Sequence, residues 1–248
     1  MKILVCISSV PDTTSKINFT ADKSAFDKNG IQWVINPLDE FGLTKAVKLQ
    51  ETAGATVTVL NVGDATTEPV IRKALAIGAN DAIRVNIEPK DSFSAAKEIA
   101  HIARNGGYDL ILCGKESLDY NGGAVPGMVA QLLNQPFVNA CVGLELEGTS
   151  AKSVREIDGG KETISVNLPA VIAGQKGLVD EKDLIIPNMR GIMSARSKPL
   201  KVEEAVNSEV KVEAVSYDSV PARAAVQMIS PDNLDELVRL LHEEAKVI

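Results

Sequence analysis

Leu110-Ile111-Leu112-Cys113-Gly114-Lys115-Glu116-Ser117-Leu118-Asp119-Tyr120-Asn121-Gly122-Gly123 is the stretch that decides how this chain folds. It opens with four apolar residues in a row, as expected of a strand covered on both faces in a parallel sheet. A polar loop follows, and then a helix from about Gly123 to Leu133 with Met128, Val129 and Leu132 inward. The same unit repeats towards the N-terminus. Ala82 to Ile87 reads as a strand, followed by a helix carrying Ala95, Ala96, Ile99, Ile102 and Ala103 and ending before Gly106-Gly107. Val57 to Val62 is another strand, and its helix turns Val70, Ile71, Ala74 and Ile77 inward and stops at Gly78. Ile3 to Ile7 is the first strand. The helix that answers it starts at Asn36-Pro37, with Asp39 and Glu40 in the first turn and Leu43, Ala46, Val47 and Leu49 near one face. Phe137 to Val142 completes the alternation. Repeated strand–helix units predict an α/β fold: a parallel, doubly wound sheet with helices on both faces.

Three regions break the pattern. Ser8 to Gln32 is too long and polar for an ordinary connection, so it is either functional or folded on its own, and Lys28-Asn29-Gly30 suggests a turn within it. Beyond Val142, Leu144-Glu145-Leu146 and Ile164-Ser165-Val166 alternate around Asp158-Gly159-Gly160, which predicts an antiparallel ribbon. Gly174 to Pro199 has little periodicity, and Leu200 to Pro221 is charged without a clear core face. The chain then closes on a helix with Ser230 as cap, Pro231 at its first position and Leu234, Leu237, Val238 and Leu241 on one face. The expected organisation is an α/β domain over residues 1–200 and an extended C-terminal arm, ending in that helix, over 201–248.

Composition narrows the function classes. With 45% apolar and 24% charged residues the chain is an ordinary globular sequence, and its formal charge of −7 argues against a nucleic-acid partner. Cys6, Cys113 and Cys141 each sit in an apolar strand-like run, which suits buried free thiols in a reducing compartment. No apolar run is long enough for a membrane span, and no cleavable leader is visible after Met1, so a cytoplasmic location, or the equivalent space of an organelle, is expected.

The loop after Cys113 is the first place to look for chemistry. Open α/β sheets bind ligands beyond the carboxyl ends of their strands, where strand order reverses. Gly122-Gly123 before a helix would offer backbone amides and the positive end of a dipole to a phosphate. A plain strand-to-helix loop explains the same glycines equally well. Asn36 likewise has two readings, as a ligand contact at the edge of that cleft or simply as a helix cap. Val62-Gly63-Asp64 would line the cleft or merely turn the chain. His101 and His242, the two histidines, both read as structural or solvated. There is no metal-ligand spacing, serine elbow, nucleotide-hydrolysing loop or full dinucleotide fingerprint in the sequence. A nucleotide would be held rather than cleaved.

Six blocks in order carry a resemblance to the beta subunit of electron-transfer flavoproteins. They are Lys2 to Ile7 with Val10-Pro11-Asp12; Asn36-Pro37-Leu38-Asp39-Glu40; Arg72 to Ala79; Asp109 to Lys115 with Asp119; Asp158 to Glu162 leading to Leu168-Pro169; and Gly191 to Pro199. The resemblance implies a heterodimer in which an alpha subunit holds most of the redox FAD and this chain shelves it. It implies an adenine nucleotide in the chain itself: AMP in simple carriers, a second FAD in electron-bifurcating ones, with AMP expected here. Carried over by position, Cys6, Ser8 and Val10 would lie along that nucleotide, Asn36 beside its adenosine, and Val62 and Gly63 behind it. Gly114, Asp119, Asn121, Gly122, Gly123, Ala124 and Val125 would wrap its phosphate. The chain departs from the usual pattern at Tyr120-Asn121-Gly122-Gly123, which leaves the side-chain contacts there open. Residues from about Pro187 to Arg196 correspond to a docking loop, with Met189 as anchor and Arg190 and Arg196 as flanking charges. Implied partners are the alpha subunit, acyl-CoA or other flavin dehydrogenases, as in fatty acid beta-oxidation, and a downstream quinone oxidoreductase. Such a subunit carries electrons without catalytic residues of its own. A rival is a free-standing adenine-nucleotide-binding regulator resembling universal stress proteins, which accounts for the first half but leaves the ribbon and terminal helix without a purpose.

Overall fold

A computed structural model describes residues 1–206, 209–223 and 225–248. The chain forms two compact units, Met1–Ile17 with Lys28–Val215 and Asn18–Asp27 with Ser216–Ile248. This division differs from the one expected at residue 200. The expected arm also includes residues 207, 208 and 224, which lie outside the described residues.

In chain order the first unit contains β1 (Lys2–Cys6), β2 (Ser9–Pro11), β3 (Trp33–Ile35), α1 (Pro37–Ala53), β4 (Thr56–Val62), α2 (Glu68–Ile77), β5 (Asp81–Val85) and α3 (Ser92–Gly106). It continues with β6 (Leu110–Gly114), α4 (Val125–Leu133), β7 (Phe137–Glu147), β8 (Ser150–Ile157), β9 (Gly160–Asn167), β10 (Ala170–Gly174), α5 (Met189–Ala195) and β11 (Leu200–Glu203). Among the described residues nine strands make one sheet, in the order β11-β5-β4-β1-β6-β10-β7-β8-β9, with β2 and β3 as a separate antiparallel pair. Every pairing from β11 to β7 is parallel, and β7, β8 and β9 pair antiparallel.

The continuous apolar runs follow from this layering. Ile3 and Val5 of β1, with Leu110 and Leu112 of β6, join α1 and α2 in one core, which holds Leu43, Val47, Ile71 and Leu75. Leu4 and Cys6, with Ile111 and Cys113, point the other way, into a core with Ala96 and Ile99 of α3 and Val129 of α4. Side chains alternate along a strand, so a strand covered on both faces needs an apolar residue at every position. The sheet is doubly wound, as expected.

Several elements differ from the sequence reading. The ribbon has three strands: Leu144 and Leu146 pair with Ser153 and Ala151 of β8, and Ile164 and Val166 pair with the other edge of the same strand. Gly148 (φ 61°) and Gly159 (φ 85°) turn the chain twice where one turn was expected. The fully buried β10 enters between β6 and β7, which are therefore not neighbours. The aperiodic stretch before Pro199 contains α5, capped by Asn188, whose side chain accepts from Gly191 N at 2.8 Å. Leu200–Glu203, read as coreless, adds β11 to the sheet edge beside β5. Lys28-Asn29-Gly30 does turn, with Gly30 at φ 71°.

In the second unit Phe19 bridges Phe26 and stacks on Tyr217 with centroids 5.2 Å apart, and Tyr217 N donates to Lys23 O at 2.9 Å. Its helix α6 spans Leu234–Arg239 and runs into a wider turn over Leu240–Glu244. The cap is Asn233, which accepts from Glu236 N at 3.4 Å, and not Ser230. Ser230 instead closes a preceding turn, its carbonyl accepting from Asn233 N at 2.9 Å. No helix among the described residues is long and apolar enough to cross a membrane.

Candidate functional site

Strand order reverses between β1 and β6: the chain leaves β1 for β4 and β5 on one side and returns to β6 on the other. The crevice beyond the carboxyl ends of these two strands is where an open α/β sheet takes a ligand. A carboxylate lies at its floor. Asp39 Oδ2 accepts from Ser8 N at 2.8 Å, just past β1, and Asp39 Oδ1 accepts from Gly114 N at 2.7 Å, at the end of β6. Asp39 is only 4% exposed. Burial pushes its carboxyl up to about 7, against the pull of the two backbone N–H groups and the Asn36 side chain. In the sequence Asp39 reads as an ordinary first-turn acid. The helical spacing held the missed signal, because Asp39, Leu43 and Val47 fall four apart on one buried face of α1.

Gly114 has a geometric reason to be glycine. A Cβ there would lie 2.4 Å from Asp39 Oδ1 and 3.0 Å from the Leu38 Cβ. Gly114→Ala is expected to displace the carboxylate and destabilise the chain by about 1–2 kcal/mol, the usual range for overpacking a tight site. At this chain length that lowers Tm by about 5 °C in a thermal unfolding scan. An unchanged Tm would show that the floor has slack.

Asn36 occupies the cap position of α1, yet its side chain caps nothing. It ties down the loop after β6 instead: Nδ2 donates to Glu116 O at 2.9 Å, and Oδ1 accepts from Leu118 N at 3.3 Å. The cap reading is corrected to that extent, since Pro37 and the Asn36 carbonyl, which accepts from Asp39 and Glu40 N, suffice to start the helix. The tied loop forms a small hairpin, with Ser117 bridging Gly122 and Asn121 in the left-handed region at φ 49°. Asp119 accepts from Tyr120 N at 2.9 Å within it. Gly122, Gly123 and Ala124 then lead into α4, which starts at Val125 and whose N-terminus has no side-chain cap.

Beside β1 on the other side lies the end of β4. Gly63 N donates to Val85 O, and its carbonyl accepts from the buried Arg84 Nη1 at 3.0 Å. Asn61 Nδ2 donates to Ile7 O at 2.9 Å, while its buried Oδ1 has no partner. Ser8, Asn36 and Gly114 are thus brought together through Asp39, with Val62 and Gly63 on the neighbouring strand. Two named residues do not present side chains to a cleft. Val10 is 1% exposed, and the Cys6 thiol lies in the α3–α4 core, where a hydrogen bond with Cys113 and then burial push it well above its ordinary range. Only their backbones are available there. Cys6, Cys113 and Cys141 are free and buried, and no group of three or more His, Cys, Asp or Glu suited to a metal occurs among the described residues.

Met189, Arg190 and Arg196 belong to a different surface. Met189 is the first residue of α5 and 74% exposed, with Ile192 and Met193 exposed on the same short helix and Arg196 at its C-cap.

The family model described as electron transfer flavoprotein domain matches residues 24–208. A protein of Bacillus subtilis (strain 168) called electron transfer flavoprotein subunit beta is 32% identical over the whole of both chains. A Syntrophomonas wolfei protein of the same name is 35% identical over 91% of this chain and 88% of its own. The Homo sapiens protein of that name is 29% identical over 100% of this chain and 99% of its own. Matched by the family model over residues 24–208 and by a relative 32% identical over the whole of both chains, the chain belongs to the family of electron transfer flavoprotein beta subunits.

Proposed function

We propose that this chain works as the beta half of a heterodimeric electron carrier, in which an alpha subunit holds the redox FAD and this chain shelves it. Membership of the family supports electron transfer as the activity, and the crevice between β1 and β6 supports a resident adenine nucleotide. The single observation that supports the nucleotide reading is the arrangement at the switch point, where Asp39 joins the ends of β1 and β6 through Ser8 N and Gly114 N. The loop after β6 leads into α4, whose N-terminus has no side-chain cap. Bare amides at a helix N-terminus favour a phosphate. The unpartnered Asn61 Oδ1 behind the cleft also suits a site completed by a polar ligand.

Asn36 and the 115–118 loop would border the adenosine, and Gly122 to Val125 would hold the phosphate through backbone N–H groups. Cys6 and Val10 would contribute only main chain. The bound flavin supplies the electron-accepting and electron-donating chemistry. The protein residues bind, orient and exclude water; no acid, base or nucleophile is required of them. AMP is the nucleotide proposed, with a second FAD as the alternative. Flavin-dependent dehydrogenases such as those acting on acyl-CoA are the proposed electron donors, meeting the carrier at Met189, and a quinone oxidoreductase is the proposed acceptor.

Co-expression with the alpha subunit tests this directly. The chain made alone is expected to be colourless, and the co-purified pair yellow with about one FAD per heterodimer. Acid extraction of the pair should release AMP, or FAD in excess of that ratio. Full flavin binding by a stable monomer would remove the heterodimer, and a single FAD with no other nucleotide in repeated preparations would remove the second site.

A further inference from the structure

Helices α2 and α5 hold one another by their C-terminal ends. Arg72 of α2 reaches across, and its Nη1 donates to Ala195 O and to Lys198 O, both at 3.0 Å, at the end of α5. Lys198 reaches back, and its Nζ donates to Leu75 O at 2.9 Å and Ala79 O at 2.6 Å, at the end of α2. The last carbonyls of a helix lack intrahelical donors and sit at the negative end of its dipole, so a cation is favoured there. Here each helix is capped by a cation from the other side of the contact. Glu68 steadies the arrangement by accepting from Arg72 Nε at 3.3 Å and Nη2 at 3.2 Å. Between the caps the helices nearly touch: a Cβ on Gly191 would lie 2.6 Å from Ala76 O. Ala195 closes the contact at 3% exposure.

A helix of seven residues does not persist in water without support. Among its residues Ala195 alone is buried, while Met189, Ile192 and Met193 are 74%, 42% and 58% exposed. So elaborate a clamp on so short a helix serves little packing of its own, but it fixes the apolar side chains that the helix presents outward. We infer that Arg72 and Lys198 are positioning residues for partner docking, acting through α5 to keep Met189 preformed as an anchor for a flavin-dependent dehydrogenase. The inference rests on the docking role of α5 proposed above. Holding an interface segment in its bound conformation removes an ordering penalty from association.

The test uses the assembled heterodimer, with a purified acyl-CoA dehydrogenase that reduces it as electron donor and hydrogen exchange of the 190–197 amides as a second readout. Arg72→Met keeps the aliphatic stem and removes both cross-links, Lys198→Met removes the return pair, and Lys198→Arg restores donors. Each methionine variant is expected to speed exchange in 190–197 and to raise KM for the carrier by about five- to tenfold, with kcat and flavin content unchanged, and Lys198→Arg should recover most of the loss. If Arg72→Met does not accumulate as folded protein, the lysine pair of variants decides. Unchanged KM in the methionine variants while Met189→Ala raises it overturns this inference and leaves the docking role standing. Unchanged KM in Met189→Ala as well removes the docking role and the inference with it. A fall in kcat or flavin content in step with KM would assign the clamp to general stability, which also overturns it.

Discussion

Raising pH from about 4 to about 7 is expected to destabilise the folded chain by on the order of 4 kcal/mol through Asp39 alone. The sign follows from the direction of the shift. Burial lifts the folded-state value from 3.8 to about 7, so in this interval the fold retains a proton that the unfolded chain releases. The contribution is fully present below the unfolded value, fades as pH rises, and is gone above about 7. Other carboxylates titrate over part of the same range, so the measurement is a comparison. Urea unfolding of wild type and Asp39→Asn from pH 4.5 to 8 should show two stabilities that converge as pH rises, because the amide does not titrate. Asn can accept from only one of Ser8 N and Gly114 N, so the variant starts lower. A gap independent of pH would mean that the two N–H groups hold Asp39 ionised throughout, and that their pull outweighs its burial.

Met189→Ala should raise the apparent KM of the carrier for a flavin dehydrogenase more than tenfold, with flavin content and Tm nearly unchanged. An exposed apolar anchor that fills a partner pocket contributes about 2 kcal/mol or more to an interface. At 74% exposure Met189 forfeits little of its own fold's packing when truncated. Its helix is held from the other side, by Arg72, Lys198 and the close approach of Gly191 to α2. Coupled turnover with varied carrier concentration measures the effect. A large fall in Tm, or loss of flavin, would place Met189 in an internal packing role and end its assignment to docking.

The parts of the fold that sequence makes legible are those specified by neighbouring residues. β1 and β6 are spelled by unbroken apolar runs because both their faces are covered, and α1 by Asn36-Pro37 and a regular inward stripe. What escapes is specified at long range. Ala170–Gly174 is short and follows a proline, and nothing near it says that it enters between β6 and β7. Helix α5 has too few turns for periodicity, and the cation that caps it comes from Arg72, more than a hundred residues earlier. The cleft shows the same division. The loop and its glycines are visible as a motif, whereas the floor depends on one carboxylate meeting two strand ends that lie far apart in the chain. Asn36 reads in sequence only as a helix cap or a ligand contact, because its role as a tie for the 115–118 loop needs the loop to be folded against it.

The insertion of β10 also bears on how the chain is made. β6 and β7 are consecutive core strands in sequence, but the slot between them is filled only when Ala170–Gly174 is available. During synthesis the ribosome therefore releases β6 and β7 with two long-range pairings missing between them, one to each. Two strand edges, flanked by Ile111, Leu112 and Val138, wait open for the intervening residues to emerge. Non-local pairings of this kind delay folding, and unpaired apolar edges invite association with other nascent chains. The central sheet can thus close only after the β7–β8–β9 ribbon has been made.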